Sequence, residues 1–437
     1  MPGPLVPGRV RAWLTRWSPL LPLFVAEFIL WIGFGALLPV MPFYFTEHGV
    51  DIAMLGVVVA AWPATRLVAE PIFGWIADRV PRVPLMVIGL LLAGAAVGLS
   101  LVWTGPLPFL ALRALAGFGT AIYDPAARGY LTDSAPHGGR GEVFGMYGAA
   151  QMGGLLLGPA FGGIGASMFG GFAFVFGFSA LASLAAAVAI ALRLREGPRG
   201  SPRPLIPATG VTEFPPEGAP AEAHAAADLD AELDAHPGSS GAEPMTIRNR
   251  LLLAAIIFNL GGWFAGAMYE VVWSLFLQSR GAGLDLIGLT FAMFGLPVLL
   301  FSPWAGRQVD RRGPYAFILI GSLATTVTMI LYPFVPDPIL VVPLIVIEGT
   351  GFALSGPALY AVVAAGTPAG RSSTVQGIYG FFGTAANIVA SVLAGLLAAR
   401  DLAYPFWLGA TVLAIVVVIG IVVDGGRIRA RFARPPA

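Results

Sequence analysis

Four ionisable residues stand alone within otherwise apolar stretches: Glu27, Arg113, Glu270 and Glu348. A charge at hydrocarbon depth costs about 2.5–3.5 kcal/mol on insertion scales, so each of these residues needs a partner or a task. Desolvation favours the neutral form of a carboxyl, whereas a neighbouring arginine or a cationic ligand favours the charged form. A carboxyl that alternates between such surroundings can take a proton from one side and release it to the other. The competing reading is a structural ion pair, or a wall residue in contact with water. Arg66 with Glu70, and Asp124 with Arg128, have the i,i+4 spacing that neutralises charge along one helix face, and they read as local pairs. The four histidines, His48, His137, His224 and His236, all fall between apolar stretches. Neither a histidine relay nor a metal site is expected, and no cofactor.

What must position these groups follows from composition. The chain is 57% hydrophobic and 11% charged with a mean hydropathy of +0.80, against roughly 45–50% apolar and about 25% charged in a soluble domain. Apolar runs of about 20 residues, each long enough to cross a bilayer as a helix, recur along the chain. They place spans at about 18 to 45, 52 to 75, 83 to 103, 107 to 127, 143 to 166 and 170 to 193, and then at about 250 to 277, 284 to 305, 314 to 333, 338 to 365, 373 to 399 and 403 to 423. The expected fold is therefore an all-α membrane protein of twelve transmembrane helices. Glu27, Arg113, Glu270 and Glu348 fall in spans 1, 4, 7 and 10. The first apolar stretch, preceded by Arg9, Arg11 and Arg16, is too long for a signal peptide and is read as a retained span.

All 25 basic residues are arginines. Arg280 and Arg400 fall in one set of loops and Arg66 and Arg113 inside spans; the rest lie in the opposite loops and termini. The positive-inside rule makes both termini and the central loop cytoplasmic, in the plasma membrane or, for a bacterium, the inner membrane. The absence of cysteine excludes disulfides and thiolate chemistry. Residues 194 to 247, rich in Pro, Gly, Ala and acidic side chains, cannot bury enough apolar surface to offset ordering, and read as a disordered linker. The expected domains are thus 1–193, a six-helix half; 194–247, the linker; and 248–437, a second six-helix half.

The halves are related. A shift of 232 residues superposes Gly49 on Gly281, Gly56 on Gly288, Pro71 on Pro303, Asp78 on Asp310, Gly117 on Gly349, Gly119 on Gly351, Pro125 on Pro357, Gly145 on Gly377, Gly148 on Gly380 and Gly163 on Gly395. With an even number of spans in each half, the repeats run parallel, about an axis along the membrane normal.

Two motifs accompany the repeat. Gly74-Trp75-Ile76-Ala77-Asp78-Arg79-Val80-Pro81-Arg82 follows span 2, and Gly306-Arg307-Gln308-Val309-Asp310-Arg311-Arg312-Gly313 follows span 8. An acid at a helix end can hold a neighbouring helix N-terminus, and the adjacent arginine can bridge to acids, which suits a cytoplasmic gate at Asp78, Arg79, Asp310 and Arg311. Span 5 carries Gly145, Gly154, Gly158, Pro159, Gly162 and Gly163. Small residues at such spacing let backbones approach closely, and Pro159 removes a backbone hydrogen bond.

These motifs resemble the loop signature of the major facilitator superfamily, present once in each half, and the span 5 motif of its antiporters. Pro81 stands where the loop signature has Gly, and Val83 where it has its last basic residue. Glu27-Phe28, Ile32-Gly33 and Pro39 in span 1 resemble the bacterial multidrug facilitators, in which an intramembrane Glu binds cationic drugs and protons; their second acid would fall near Gly35 and is missing. Arg113 with Gly117 and Gly119 resembles the motif whose Arg serves proton coupling. Among the members of the superfamily, the chain is most similar to twelve-span drug:proton antiporters.

The resemblance implies a secondary transporter, proton-coupled and exporting amphipathic or cationic small molecules by alternating access. Expected partners are the substrate, protons and the lipid bilayer, with no nucleic acid, and the chain is expected to act as a monomer. Trp31, Phe34, Trp263, Phe264, Tyr269 and Trp273 crowd spans 1 and 7, where some can stack on an aromatic or cationic ligand. A facilitator or symporter for a defined metabolite is the alternative, and a non-transporting member of the same fold a further one. An integral membrane enzyme is not expected: the chain has no P-loop, His-Glu-x-x-His or nucleophile elbow.

Overall fold

The computed structural model describes residues 16–135, 140–169, 171–196, 249–367 and 372–432. Of the expected linker only Leu194, Arg195 and Glu196 fall within these ranges; its remainder, with His224 and His236, lies outside the described residues, as does His137.

The described residues are helical because a bilayer leaves backbone polar groups no partner except one another. The helices are α1 (Leu21–Leu37), α2 (Met41–Glu47), α3 (Ile52–Ala77), α4 (Arg82–Leu99), α5 (Pro106–Ser134), α6 (Arg140–Met168), α7 (Phe172–Arg193), α8 (Arg250–Ser279), α9 (Leu284–Arg312), α10 (Tyr315–Leu331), α11 (Val341–Gly366), α12 (Ser372–Ala398), α13 (Tyr404–Asp424) and α14 (Arg427–Phe432). Ten of them are long and apolar enough to cross a membrane. An eleventh span results if α1 and α2, bent by 50° at their break, are one. Pro39, which donates no backbone hydrogen bond, sits in that break. The span expected at about 143 to 166 coincides with α6, which is 29 residues long, carries nine glycines and Gln151, and is not among the ten.

The sequence repeat reappears as repeated contacts. Gly49 and Gly281, at equivalent turns, take φ of 88° and 87°, a conformation open to glycine. A Cβ added to Gly117 would stand 3.1 Å from the Cα of Trp62; one on Gly349 would stand 3.2 Å from the Cα of Phe294, the residue equivalent to Trp62. Gly119 against Gly89 likewise repeats as Gly351 against Gly321. Pro71 and Pro303 lie inside α3 and α9, and Pro125 and Pro357 inside α5 and α11.

The halves meet along two seams, α3 with α12 and α6 with α9. At the first, a Cβ on Gly56 would lie 2.9 Å from the nitrogen of Gly395; at the second, one on Gly288 would lie 3.1 Å from the Cα of Gly163. Since Gly56 is equivalent to Gly288 and Gly163 to Gly395, the seams are the same contact made twice. Both lie at one end of the bundle, where a single core joins Phe43, Phe45, Phe109 and Phe176 to Trp273, Phe276 and Phe406. At the other end, which carries most of the arginines, the halves have separate cores: Trp17, Leu20, Met86 and Ile190 in one, Leu252, Phe258, Val362 and Ile428 in the other. There Gly145, Gly148, Gly306, Gly377 and Gly380 have nothing within 4 Å of an added Cβ. The bundle is sealed at one end and parted at the arginine-rich end.

Candidate transport site

The wall between the halves begins at Glu27 on α1, which is 0% exposed. Its carboxyl accepts hydrogen bonds from the Trp31 Nε1 (2.8 Å), the Tyr123 hydroxyl (2.5 Å) and the Gln151 amide (2.5 Å). Tyr123 comes from α5 and Gln151 from α6, so three helices converge on this acid. Aromatic rings carry the wall onward. Trp31 meets Phe34 edge-on with centroids 5.3 Å apart, and Phe34 lies 5.4 Å from Trp62 on α3. The Trp62 ring has Arg66 at 4.6 Å and Arg113 at 6.0 Å from its centroid. Close approach of α5 to the Trp62 backbone at Gly117 holds Arg113 there.

Arg113 is half-buried and faces the other half, where half-buried Glu270 on α8 lies within electrostatic reach. Among the described residues, no carboxylate oxygen comes within 4.0 Å of Arg113, and its buried Nε has no hydrogen-bond partner. Asn387 of α12 stands beside Glu270. Glu348 stands apart from this pair: its carboxyl, 3% exposed, accepts from the hydroxyls of Tyr269 and Tyr332, each at 2.6 Å, all three within the second half. Arg113 lies across from span 7 because the repeat places Glu348 at similar depth but leaves the azimuth of each side chain to helix packing.

A second network lies on the first half. Arg66 pairs with Glu70 at 2.6 Å, as the spacing predicts, and also with Asp124, which joins α3 to α5. Arg128 stands 3.9 Å from Asp124. Spacing along one helix shows the two local pairs but not the bridge between them.

At the parted end, Asp78 is 73% exposed and its ion-pair partner is Arg82, at 3.8 Å. Arg82 also pairs with Asp133 of α5, and Arg79 stacks on Trp75, 3.8 Å from its ring centroid. The Glu196 carboxylate accepts from the backbone nitrogens of Arg82 (2.8 Å) and Val83 (2.9 Å), capping α4. Through Arg82 this loop is joined to α5. Among the described residues no ion pair or hydrogen bond joins Asp78 or Arg79 to α12, because this end is parted. Asp310 and Arg311 are exposed, and no ion pair within 4.0 Å joins either to another described residue.

The span 5 motif divides by contact. Gly154, Gly158 and Gly162 receive α1: a Cβ on Gly158 would lie 2.6 Å from the Ile32 carbonyl oxygen and 2.8 Å from the Gly35 Cα. Pro159 packs on Gly35, Gly163 faces α9 of the other half, and Gly145 is open. Trp263 is exposed, Phe264 and Trp273 are buried in the shared core, and His48 packs its ring on Tyr44 at the sealed end. Tyr123, Gln151, Asn387 and the Tyr269–Tyr332 pair are site residues that sequence reading missed, Tyr269 having been noted only as an aromatic.

Over 136 residues the chain is 28% identical to the quinolone resistance protein NorA of Staphylococcus aureus, a match covering 31% of this chain and 35% of the relative. Over 164 residues it is 31% identical to the staphyloferrin B transporter of Staphylococcus aureus, covering 36% of this chain and 37% of that protein. The chain thus spans about a third of the length of each of these relatives. The occupied, inward-facing crystal structure of a bacterial homologue of the human lysosomal transporter Spinster superposes with a TM-score of 0.70 at 16% identity, over 98% of this chain and 99% of that one. A sulfate-bound peptide transporter, POT, superposes with a TM-score of 0.70 at 18% identity, over 94% and 95%. The model of the Major Facilitator Superfamily matches residues 23–265 and again 251–427, and the chain belongs to that superfamily of multi-pass membrane proteins.

Proposed function

We propose that this protein is a proton-coupled exporter of amphipathic or cationic small molecules, monomeric, with twelve spans in two parallel halves and both termini cytoplasmic, in the plasma membrane. The observation that carries the reading is the aromatic wall from Trp31 through Phe34 to Trp62, ending where Arg113 and Glu270 oppose each other across the halves. Such rings offer area to an apolar body, and the acid offers a counter-charge to a cation. Glu27, Glu270 and Glu348 are the candidate proton carriers, and Arg113 biases the charge state of Glu270. The likeness over part of the chain to NorA, named for quinolone resistance, supports efflux.

Alternating access follows from the twofold seam. With the arginine-rich end cytoplasmic by the positive-inside rule, the state described is open to the cytoplasm. Closure there would bring the open glycines Gly145 and Gly148, and their equivalents Gly377 and Gly380, against the facing helices, while the contacts at Gly56 and Gly163 separate. The loops at Asp78, Arg79, Asp310 and Arg311 lie at this end and would re-pair on closure.

The second reading, a carrier for one defined metabolite, draws on the partial likeness to a protein named for staphyloferrin B. Reconstituted protein in liposomes with an internal pH dye separates them. Added cationic amphipaths are expected to drive proton movement, lost in Glu270→Gln. Silence towards every amphipath, with uptake of one metabolite, replaces the first reading by the second.

A further inference from the structure

The charges at the meeting of the halves have a feature that a purely cationic substrate does not use. Arg113 projects from the first half with its Nε buried and unpartnered. Glu270 faces it from the second half, near enough to interact electrostatically, yet no ion pair closes the gap. Beside Glu270, the amide oxygen of Asn387, a residue 5% exposed, has no hydrogen-bond partner among the described residues, nor has the hydroxyl of Ser391 one turn further along α12, which is 0% exposed. Buried polar groups of folded proteins are nearly always satisfied, so each orphan calls for a partner: an ordered water, an ion or a ligand. Here they form a set of fixed sign: a guanidinium donor on one side, and a carboxylate with an amide acceptor on the other.

We propose that this gap binds the head of a zwitterionic amphiphile, its carboxylate on Arg113 and its ammonium between Glu270 and the Asn387 oxygen, with its apolar body along Trp62 and Phe34. The proposal rests on the reading of this wall as the substrate site and narrows its substrate class. A simple cation satisfies Glu270 but is repelled by Arg113 and leaves the guanidinium without an acceptor. A simple anion has the mirror-image fault with Glu270. A molecule with both charges meets each half once, so its binding reports whether the halves are near enough to be bridged. Charge-assisted hydrogen bonds are about twice as strong as neutral ones, which makes the discrimination large enough to measure.

The test uses the full chain in lipid nanodiscs and three fluorescent probes on one aromatic body: Nε-dansyl-lysine (zwitterion), its methyl ester (cation) and its Nα-acetyl derivative (anion). Binding is read by dansyl fluorescence. The zwitterion is expected to bind at least about tenfold more tightly than either relative, equivalent to about 1.4 kcal/mol. Arg113→Gln should bring the zwitterion down to the level of the ester and tighten the ester, and Glu270→Gln should abolish the advantage over the acetyl derivative. The probe series on the unmodified chain carries the test even if a variant folds poorly. An ester that binds as tightly as the zwitterion, or failure of all three to bind, overturns the inference. The parent reading is decided separately by the proton-flux assay with cationic amphipaths, which can succeed when this fails.

Discussion

Adding one methyl group at Gly163 should shift the equilibrium between the two access states rather than unfold the protein. A Cβ there would clash with the Leu284 carbonyl oxygen and lie 3.0 Å from the Cα of Gly288, all of it backbone of the other half. Neither helix can yield by turning a side chain, so relief comes from separating the halves at the sealed end. Overpacking of this kind costs about 1–3 kcal/mol. That cost falls on the sealed state alone, because opening this end removes the contact, so the population ratio should move by roughly 5- to 150-fold. The chain has no cysteine, so Ser391→Cys supplies a single reporter on the opposite seam, at a position 0% exposed in the state described. Its maleimide labelling should accelerate several-fold in Gly163→Ala and stay unchanged in Gly145→Ala, where an added Cβ meets nothing within 4 Å. A folded Gly163→Ala protein with an unchanged labelling rate would refute the account of the seam as a rigid contact that rocking must break.

Gly158→Leu should abolish transport and reduce the yield of folded protein, since its contacts with Ile32 and Gly35 lie inside one half and no rocking relieves them; a monodisperse, active variant contradicts this. Glu27→Gln should lower proton-driven uptake into everted vesicles by about tenfold or more while sparing substrate exchange, because an amide cannot accept all three donors now on the carboxyl. Glu348→Gln is expected to weaken the same uptake, and Tyr332→Phe to cost about 1–3 kcal/mol by leaving a buried carboxyl oxygen unsatisfied, read as a lower melting temperature in detergent. Asp78→Asn should slow turnover with substrate affinity nearly unchanged, as expected of a group at the parted end and remote from Glu270; equal turnover in proteoliposomes removes it from the gate.

Much of the architecture could be read along the chain, because a bilayer forces helices of a set length and a parallel repeat forces equivalent glycines and prolines into equivalent contacts. Residue type and spacing were therefore enough to place Glu27, Arg113, Glu270 and Glu348 within spans, to pair Arg66 with Glu70, and to identify α6 as a close-packing helix from its glycines. Three things were decided only in the folded molecule. Which acid faces Arg113 depends on how each helix is rotated about its axis by packing, which leaves Glu270 at the gap and Glu348 enclosed by Tyr269 and Tyr332. The convergence of Tyr123 and Gln151 on Glu27 joins residues about a hundred positions apart, a distance over which no local pattern carries information. The access state was also invisible in sequence, because the same glycines occur at both ends of each seam helix and only tertiary packing determines which set is in contact.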